Sequence, residues 1–294
     1  MANFTILTDS SCNLPDHIID ELGLVILPLR YMSGEEEYPA YDPQAPTDLK
    51  AFYENMRKGV VYTTSLPYQN TSIDTIRSLF EAGEDILYVG FSSALSGTYE
   101  STESILVDLL KEYPERKAYY IDTCAAALGE GLLVLHAAHL RSLGKSIEEV
   151  HASIVEKRFN VGSWFTVDDL VYLYRGGRVS RTSATAGNIL SIKPILQVSN
   201  EGRLIPMEKV RGRKHSIQAL FDHLKKTYEP SIEPHYIGIS HGDCIEDAQV
   251  LVELIQGDAT FADCEIIVNQ LDPVIGAHSG PGTMSVFYWA ESRD

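Results

Sequence analysis

The sequence predicts an α/β protein in two domains, and three observations predict it. Short apolar runs suited to strands alternate with helical patterns along most of the chain, the signature of helices packed on a largely parallel sheet. Ser, Thr and Asp gather where those runs end. From Val161 the rhythm changes, and 294 residues suffice for two domains of ordinary size. The expected division is 1–160, an α/β domain with a mostly parallel sheet and flanking helices, and 161–294, a second α/β domain.

Taken in order, "FTILT" (4–8) is the first strand, followed by Asp9-Ser10-Ser11 and a helix opened by Pro15, whose missing N–H would be unpaired there anyway. "VILPLRY" reads as one strand and the acidic, Pro-rich "GEEEYPAYDPQAP" (34–46) as a loop. Thr63-Thr64-Ser65 precede a helix starting near Asn70. "DILYVGF" (85–91) and "KAYYID" (117–122) are strands, each followed by a helical pattern, and "SIEEVHASIVEKR" closes the first half. "VGSWFTV" is a strand that leads to the turn "YRGGRVSR" (174–181). "KPILQVS" and "RLIPMEKV" flank Asn200-Glu201-Gly202, which predicts an antiparallel hairpin. The helix "HSIQALFDHLKKTYE", the strand "YIGISHGD", the helix "EDAQVLVELIQG" and the strand "CEIIVNQ" follow. "GAHSGPGT" (276–283) reads as a Gly/Pro turn before the last strand, "TMSVFYWA".

Composition narrows the function. A net charge of -17 opposes nucleic acid and adsorption to an anionic membrane. "MANFTILTDSS" lacks the basic and apolar regions of a signal peptide, so none is expected. The most apolar helical segment, "LGEGLLVLHAAHLRSLG", is broken by Glu130, His136, His139 and Arg141 and is too short to span a bilayer. Cys12, Cys124, Cys244 and Cys264 are scattered, which predicts reduced thiols in a cytoplasmic protein. The nine histidines lack metal-ligand spacing and no P-loop occurs, so neither a metal nor a cofactor is expected.

In open α/β sheets, ligands sit beyond the C-terminal ends of the strands. Polar clusters fall there: Asp9-Ser10-Ser11, Ser92-Ser93 with Ser96-Gly97-Thr98, Asp122-Thr123, and His241-Gly242-Asp243. Each suits helix capping, and each also suits an anion at a helix N-terminus. A serine esterase or thioesterase is the enzymatic alternative, with Ser93 or Ser96 as nucleophile, His241 or His278 as base and Asp9 or Asp122 orienting it. "SALSG" departs from the G-x-S-x-G elbow at its first position. A carrier of another carboxylate or phosphate remains the third class. In "GAHSGPGT", Gly276, Gly280 and Gly282 permit close backbone approach, and His278 beside Ser279 can donate to an anion. "KVRGRK" (209–214) places cations at the start of a helix, against its dipole.

Together, "TDSSCNLP", "TTSLP", "FSSALSGTYES", "YIDT", "YRGGRVSR", "KPIL", "EKVRGRK" and "IGAHSGPGT" resemble the DegV family, in the family's order from residue 8 to 283. The resemblance implies a two-domain α/β protein binding one long-chain fatty acid between its domains. It also implies the acyl-binding subunit of a bacterial fatty acid kinase, with no catalytic site of its own. Such a subunit presents the carboxylate to a separate ATP-binding kinase subunit, which makes an acyl phosphate for phospholipid synthesis. By the same resemblance, Thr64, Ser65, Ser92, Ser93 and His278 hold the carboxylate, while Ser96-Gly97-Thr98 aim a helix N-terminus at it. Arg178 and Arg211 are implied to dock the kinase subunit. The chain departs from the family at Leu66, where Gln is common, and at Ala125-Ala126-Ala127, where a serine is expected.

Overall fold

The computed structural model describes residues 4–180 and 191–293. Arg181, the last residue of the predicted turn, lies outside the described residues. The first half comprises β1 (Phe4–Asp9), α1 (Asp16–Leu22), β2 (Val25–Leu27), β3 (Arg30–Ser33), β4 (Glu36–Pro39), α2 (Leu49–Arg57), β5 (Thr63–Ser65), α3 (Gln69–Glu81), β6 (Asp85–Gly90), α4 (Thr98–Glu112), β7 (Ala118–Asp122), α5 (Leu128–Ser142) and α6 (Ile147–Lys157). The second comprises β8 (Val161–Thr166), α7 (Val171–Arg175), β9 (Ile192–Val198), β10 (Leu204–Arg211), α8 (Arg213–Thr227), β11 (Tyr236–His241), α9 (Ile245–Gln256), β12 (Glu265–Gln270), α10 (Pro273–Ser279) and β13 (Met284–Trp289).

The mixed α/β class is as the sequence predicts. One sheet, β2-β1-β6-β7, is parallel throughout. β1 and β6 are buried along almost their whole length, which is why they read as continuous apolar runs rather than alternating ones. A six-stranded sheet, β10-β9-β8-β13-β11-β12, holds every strand among the described residues from Val161 onward. It departs from the largely parallel expectation: only β11 and β12 run parallel within it. The predicted β9–β10 hairpin is one source of that antiparallel character.

Two further differences concern the first half. "VILPLRY" is two strands, because Pro28 has no N–H to continue a ladder. β2 joins the parallel sheet, and β3 forms a separate antiparallel sheet, β4-β3-β5. The acidic segment read as a loop supplies β4, where Tyr38 stacks on Tyr31 with ring centroids 5.3 Å apart.

α5 explains how the halves meet. Residues Leu128 to Ala138 are all buried. The helix packs on β1 and β6 of one sheet and on β8, β11 and β13 of the other. A helix covered on both sides is apolar nearly all round, which is why Leu128 to Ala138 read as so apolar a helical stretch.

Candidate functional site

Among the described residues, strands of the two antiparallel-containing sheets, α7, α10 and the loops just past the strand ends of the parallel sheet line a cavity of about 300 Å³. Its sides are apolar: Leu29 and Phe91 from the first half, Phe165, Leu173, Val198 and Leu204 from the second, and Phe287 on β13. Val274, Ile275, His278 and Ser279 of α10 line the cavity together with Leu271 just before the helix, so one side of α10 runs along it. The helix starts where it does because Asp272 accepts from the backbone N–H groups of Val274 (2.7 Å) and Ile275 (3.2 Å), with Pro273 in its first turn. "GAHSGPGT" is therefore not all turn, since its first four residues close this helix.

Polar groups gather around His278, near the C-terminal end of α10. Its Nε2 lies 2.7 Å from Thr64 Oγ1 at the middle of β5. Ser65 and Ser96 also line the cavity, as does Gly97, which caps α4 and opens its N-terminus there. Ser65 Oγ accepts from Arg30 at 2.9 Å, and the Arg30 guanidinium lies 4.1 Å from the Tyr68 ring centroid. Ser96 Oγ is 2.8 Å from Thr98 Oγ1 and accepts from the Thr98 N–H at 3.3 Å. Burial, assisted by the Arg178 charge, pushes the His278 pKa down to about 4, so the imidazole is neutral at neutral pH.

Arg178, implied by resemblance to reach a partner, lines the cavity. Its Nε and Nη2 both donate to the Leu95 carbonyl, at 3.0 and 2.7 Å, and Nη1 donates to the Gly176 carbonyl. These bonds hold the guanidinium in place beside the polar end. Arg211 is exposed on β10, the edge strand, and does not line the cavity.

The structure separates the expected hydroxyl set. Ser92 is fully buried, and its Oγ donates to the Gly202 carbonyl at 2.9 Å, pinning the β9–β10 turn to the first half. Ser93 gives both its N–H (3.2 Å) and its hydroxyl (2.5 Å) to Asp122. Neither serine lines the cavity, because both side chains are committed to protein partners. Thr98 is also fully buried and outside the lining. The same bonds leave the esterase reading without a serine–histidine pair: Ser93 is on Asp122, Ser96 on Thr98, and His278 on Thr64. His241 accepts from the Cys244 N–H at 3.3 Å and lies outside the cavity. Among the described residues no group of three or more His, Cys, Asp or Glu is placed to hold a metal ion.

Asp9 and Ser11, at the end of β1, form a second buried network with Glu130 of α5. Asp9 accepts from the Ser11 N–H and hydroxyl and from the Phe91 N–H (3.1 Å), with the Tyr88 hydroxyl at 3.3 Å. Glu130 meets the Ser11 hydroxyl at 2.9 Å and the Thr8 hydroxyl at 3.0 Å. Burial, with the Asp9 charge nearby, raises the Glu130 pKa far above the carboxylate range. This network holds the strand end from which Phe91 enters the cavity. Asp9 was legible in the sequence; Glu130 was not, because one acid inside an apolar helix looks like a solvated break.

Fold and site together define the class: a mixed α/β protein whose described residues form a mostly apolar cavity with a cluster of polar groups around His278. Comparison with known proteins then places it. The family model described as "Uncharacterised protein, DegV family" matches residues 3–291, and the chain belongs to the DegV family. It is 38% identical over 294 residues to the DegV domain-containing protein CPE0026 of Clostridium perfringens, covering 100% of both chains. Among solved structures it is similar to a DegV family protein from Thermus thermophilus described by its fatty acid binding, with 28% identity, a TM-score of 0.84, and 98% and 99% of the two chains covered. It is also similar to DegV of Bacillus subtilis, described as a fatty acid binding protein, at 28% identity and a TM-score of 0.83, covering 99% and 100%.

Proposed function

We propose that this protein binds one long-chain fatty acid in the interior cavity, between the units 1–160 and 161–294. The carboxylate lies at Thr64, Ser65, Ser96, the Gly97 end of α4, His278 and Arg178. The observation that carries this reading is the Thr64–His278 pair beside Arg178 on the wall of a mostly apolar cavity. With His278 neutral, the fixed Arg178 guanidinium gives the polar end positive charge, which matches a carboxylate. Fatty acid binding by the Thermus thermophilus and Bacillus subtilis relatives supports the same ligand class. Burial is worth about 0.8 kcal/mol per methylene, so the tail supplies most of the affinity and the polar end sets orientation.

In the same proposal the protein is not itself an enzyme. It presents the carboxylate to an ATP-dependent fatty acid kinase subunit that forms the acyl phosphate for phospholipid synthesis, in the cytoplasm, where four thiols outside any disulfide are at home. Arg211 is the residue proposed to meet that subunit. Lipid extraction of protein purified from bacteria, followed by mass spectrometry, tests the ligand. One fatty acid per chain is expected. The absence of bound fatty acid, together with no uptake of added oleate or palmitate, overturns the reading. For the partner, Arg211→Ala is expected to keep lipid binding and to lower acyl phosphate formation with a kinase subunit; an unchanged rate removes Arg211 from that role.

A further inference from the structure

Two adjacent glycines follow α7, and they are glycine for different reasons. Gly177 has φ +73, a backbone conformation that side chains rarely adopt, but a Cβ there would meet nothing within 4 Å. Gly176 has φ -72 and ψ -9, an ordinary helical conformation open to any residue. A Cβ at 176 would instead lie 2.1 Å from His278 Nδ1, with Cε1 at 3.0 Å and Cγ at 3.1 Å. The imidazole thus rests edge-on against the Gly176 backbone while its other nitrogen meets Thr64. Gly176 also accepts the Arg178 Nη1 bond through its carbonyl and donates its N–H to the Tyr172 carbonyl at 3.0 Å.

His278, Thr64 and Arg178 line a second cleft of about 260 Å³ as well as the main cavity, so the ring is part of the partition between the two. We propose that Gly176 is a positioning residue for the polar end: the missing side chain seats His278 so that the ring closes that partition and stays bonded to Thr64. Any Cβ at 176 must move the ring, because the glycine sits on backbone fixed by the Tyr172 and Arg178 bonds. The consequence for ligand affinity rests on the fatty acid reading; the seating of the ring does not.

Gly176→Ala tests this in two independent measurements. The first is an NMR titration of His278 in ligand-free protein. The ring titrates near pH 4 in the wild type. It is expected to move up toward the ordinary histidine value of about 6.5 once displaced from its buried seat. Gly177→Ala is the contrast: it strains the backbone and lowers stability but leaves the His278 midpoint in place. The second is fatty acid affinity, expected to fall about ten-fold or more, the scale of one lost hydrogen bond to a charged group. In a double-mutant cycle, Gly176→Ala added to His278→Ala is expected to cost nothing further, since the colliding ring is gone. A wild-type titration midpoint in Gly176→Ala, or a loss that adds in full to that of His278→Ala, overturns the proposal. Should Gly176→Ala not fold, the double variant decides: it folds if the ring is what the methyl strikes, and a double variant equally unfolded overturns the seating. A wild type that binds no fatty acid sinks the functional reading while leaving the titration as the test of Gly176.

Discussion

Ser11 has one hydroxyl hydrogen and two buried carboxyl neighbours, so proton counting assigns their charges. The hydroxyl donates to Asp9, which also accepts from two backbone N–H groups. Its contact with Glu130 then puts the proton on Glu130, since burial raises both carboxyl pKa values but raises that of Glu130 the more strongly. Glu130→Gln keeps the neutral donor and acceptor pattern and is expected to change stability by less than about 1 kcal/mol. Asp9→Asn turns an amide toward backbone donors and is expected to cost about 3 kcal/mol or more. Urea unfolding of the two variants checks the assignment, which fails if Gln at 130 proves as damaging as Asn at 9. Asp272, the cap of α10, carries the same physics into a pH dependence. Burial first, with the Asp9 charge adding to it, raises its pKa from 3.8 to about 7. Between those values the folded state keeps a proton that the unfolded chain has released, so stability falls as pH rises through this window. Asp272→Asn keeps the capping oxygen and removes the titration. It is expected to match the wild type near about pH 4 and to exceed it near about pH 7 in urea unfolding.

At the scale of elements, the two serines of "FSSAL" turn out to be joints. Ser92 ties the β6–α4 loop to the β9–β10 turn, and Gly202 fits there because a Cβ would come within 2.2 Å of Ser92 Oγ. Ser92→Ala leaves a buried carbonyl without its donor and is expected to lower stability by about 1–3 kcal/mol. Fatty acid affinity should stay within about two-fold, since no cavity contact is removed; thermal unfolding and a binding isotherm on one preparation separate the effects. A large loss of affinity without loss of stability would restore Ser92 to the head-group site. The sequence could place these hydroxyls at strand ends but could not aim them, because binding, capping and joining all favour Ser and Thr. Helix α10 is a different case. Gly276, Gly280, Pro281 and Gly282 masked it as a turn, although Asp272-Pro273 is a helix-start signal that was there to be read. β4 was hidden by its charge: Glu36 and Glu37 are exposed on a strand held by its pairing to β3 and by Tyr38 on Tyr31. The alternation that predicts the α/β class is a periodic signal and survives such exceptions. The cavity wall has none of its own, because Val198 or Phe287 facing a ligand is the same residue type as one facing the core.

At the scale of the molecule, the cavity exists only because distant parts of the chain close on it. Phe91 comes from the loop after β6, Thr64 from β5, and Phe165 and Phe287 from the six-stranded sheet, while α5 packs on strands of both larger sheets. A ligand filling this space touches both halves at once, so binding is expected to stabilise the chain as a unit rather than one sheet. At a free fatty acid concentration about a hundred times the dissociation constant, linkage gives about 2.7 kcal/mol of added stability. Hydrogen exchange should then slow together in β5 and the β6–α4 loop of the first half and in α10 and β13 near the end of the chain. His278→Ala is expected to reduce the gain without changing its distribution, since the tail still bridges the same walls. Protection confined to the strands of one sheet would mean that the acid does not lie in this cavity. The polar end would then have to be sought in a cleft that only one half of the chain builds.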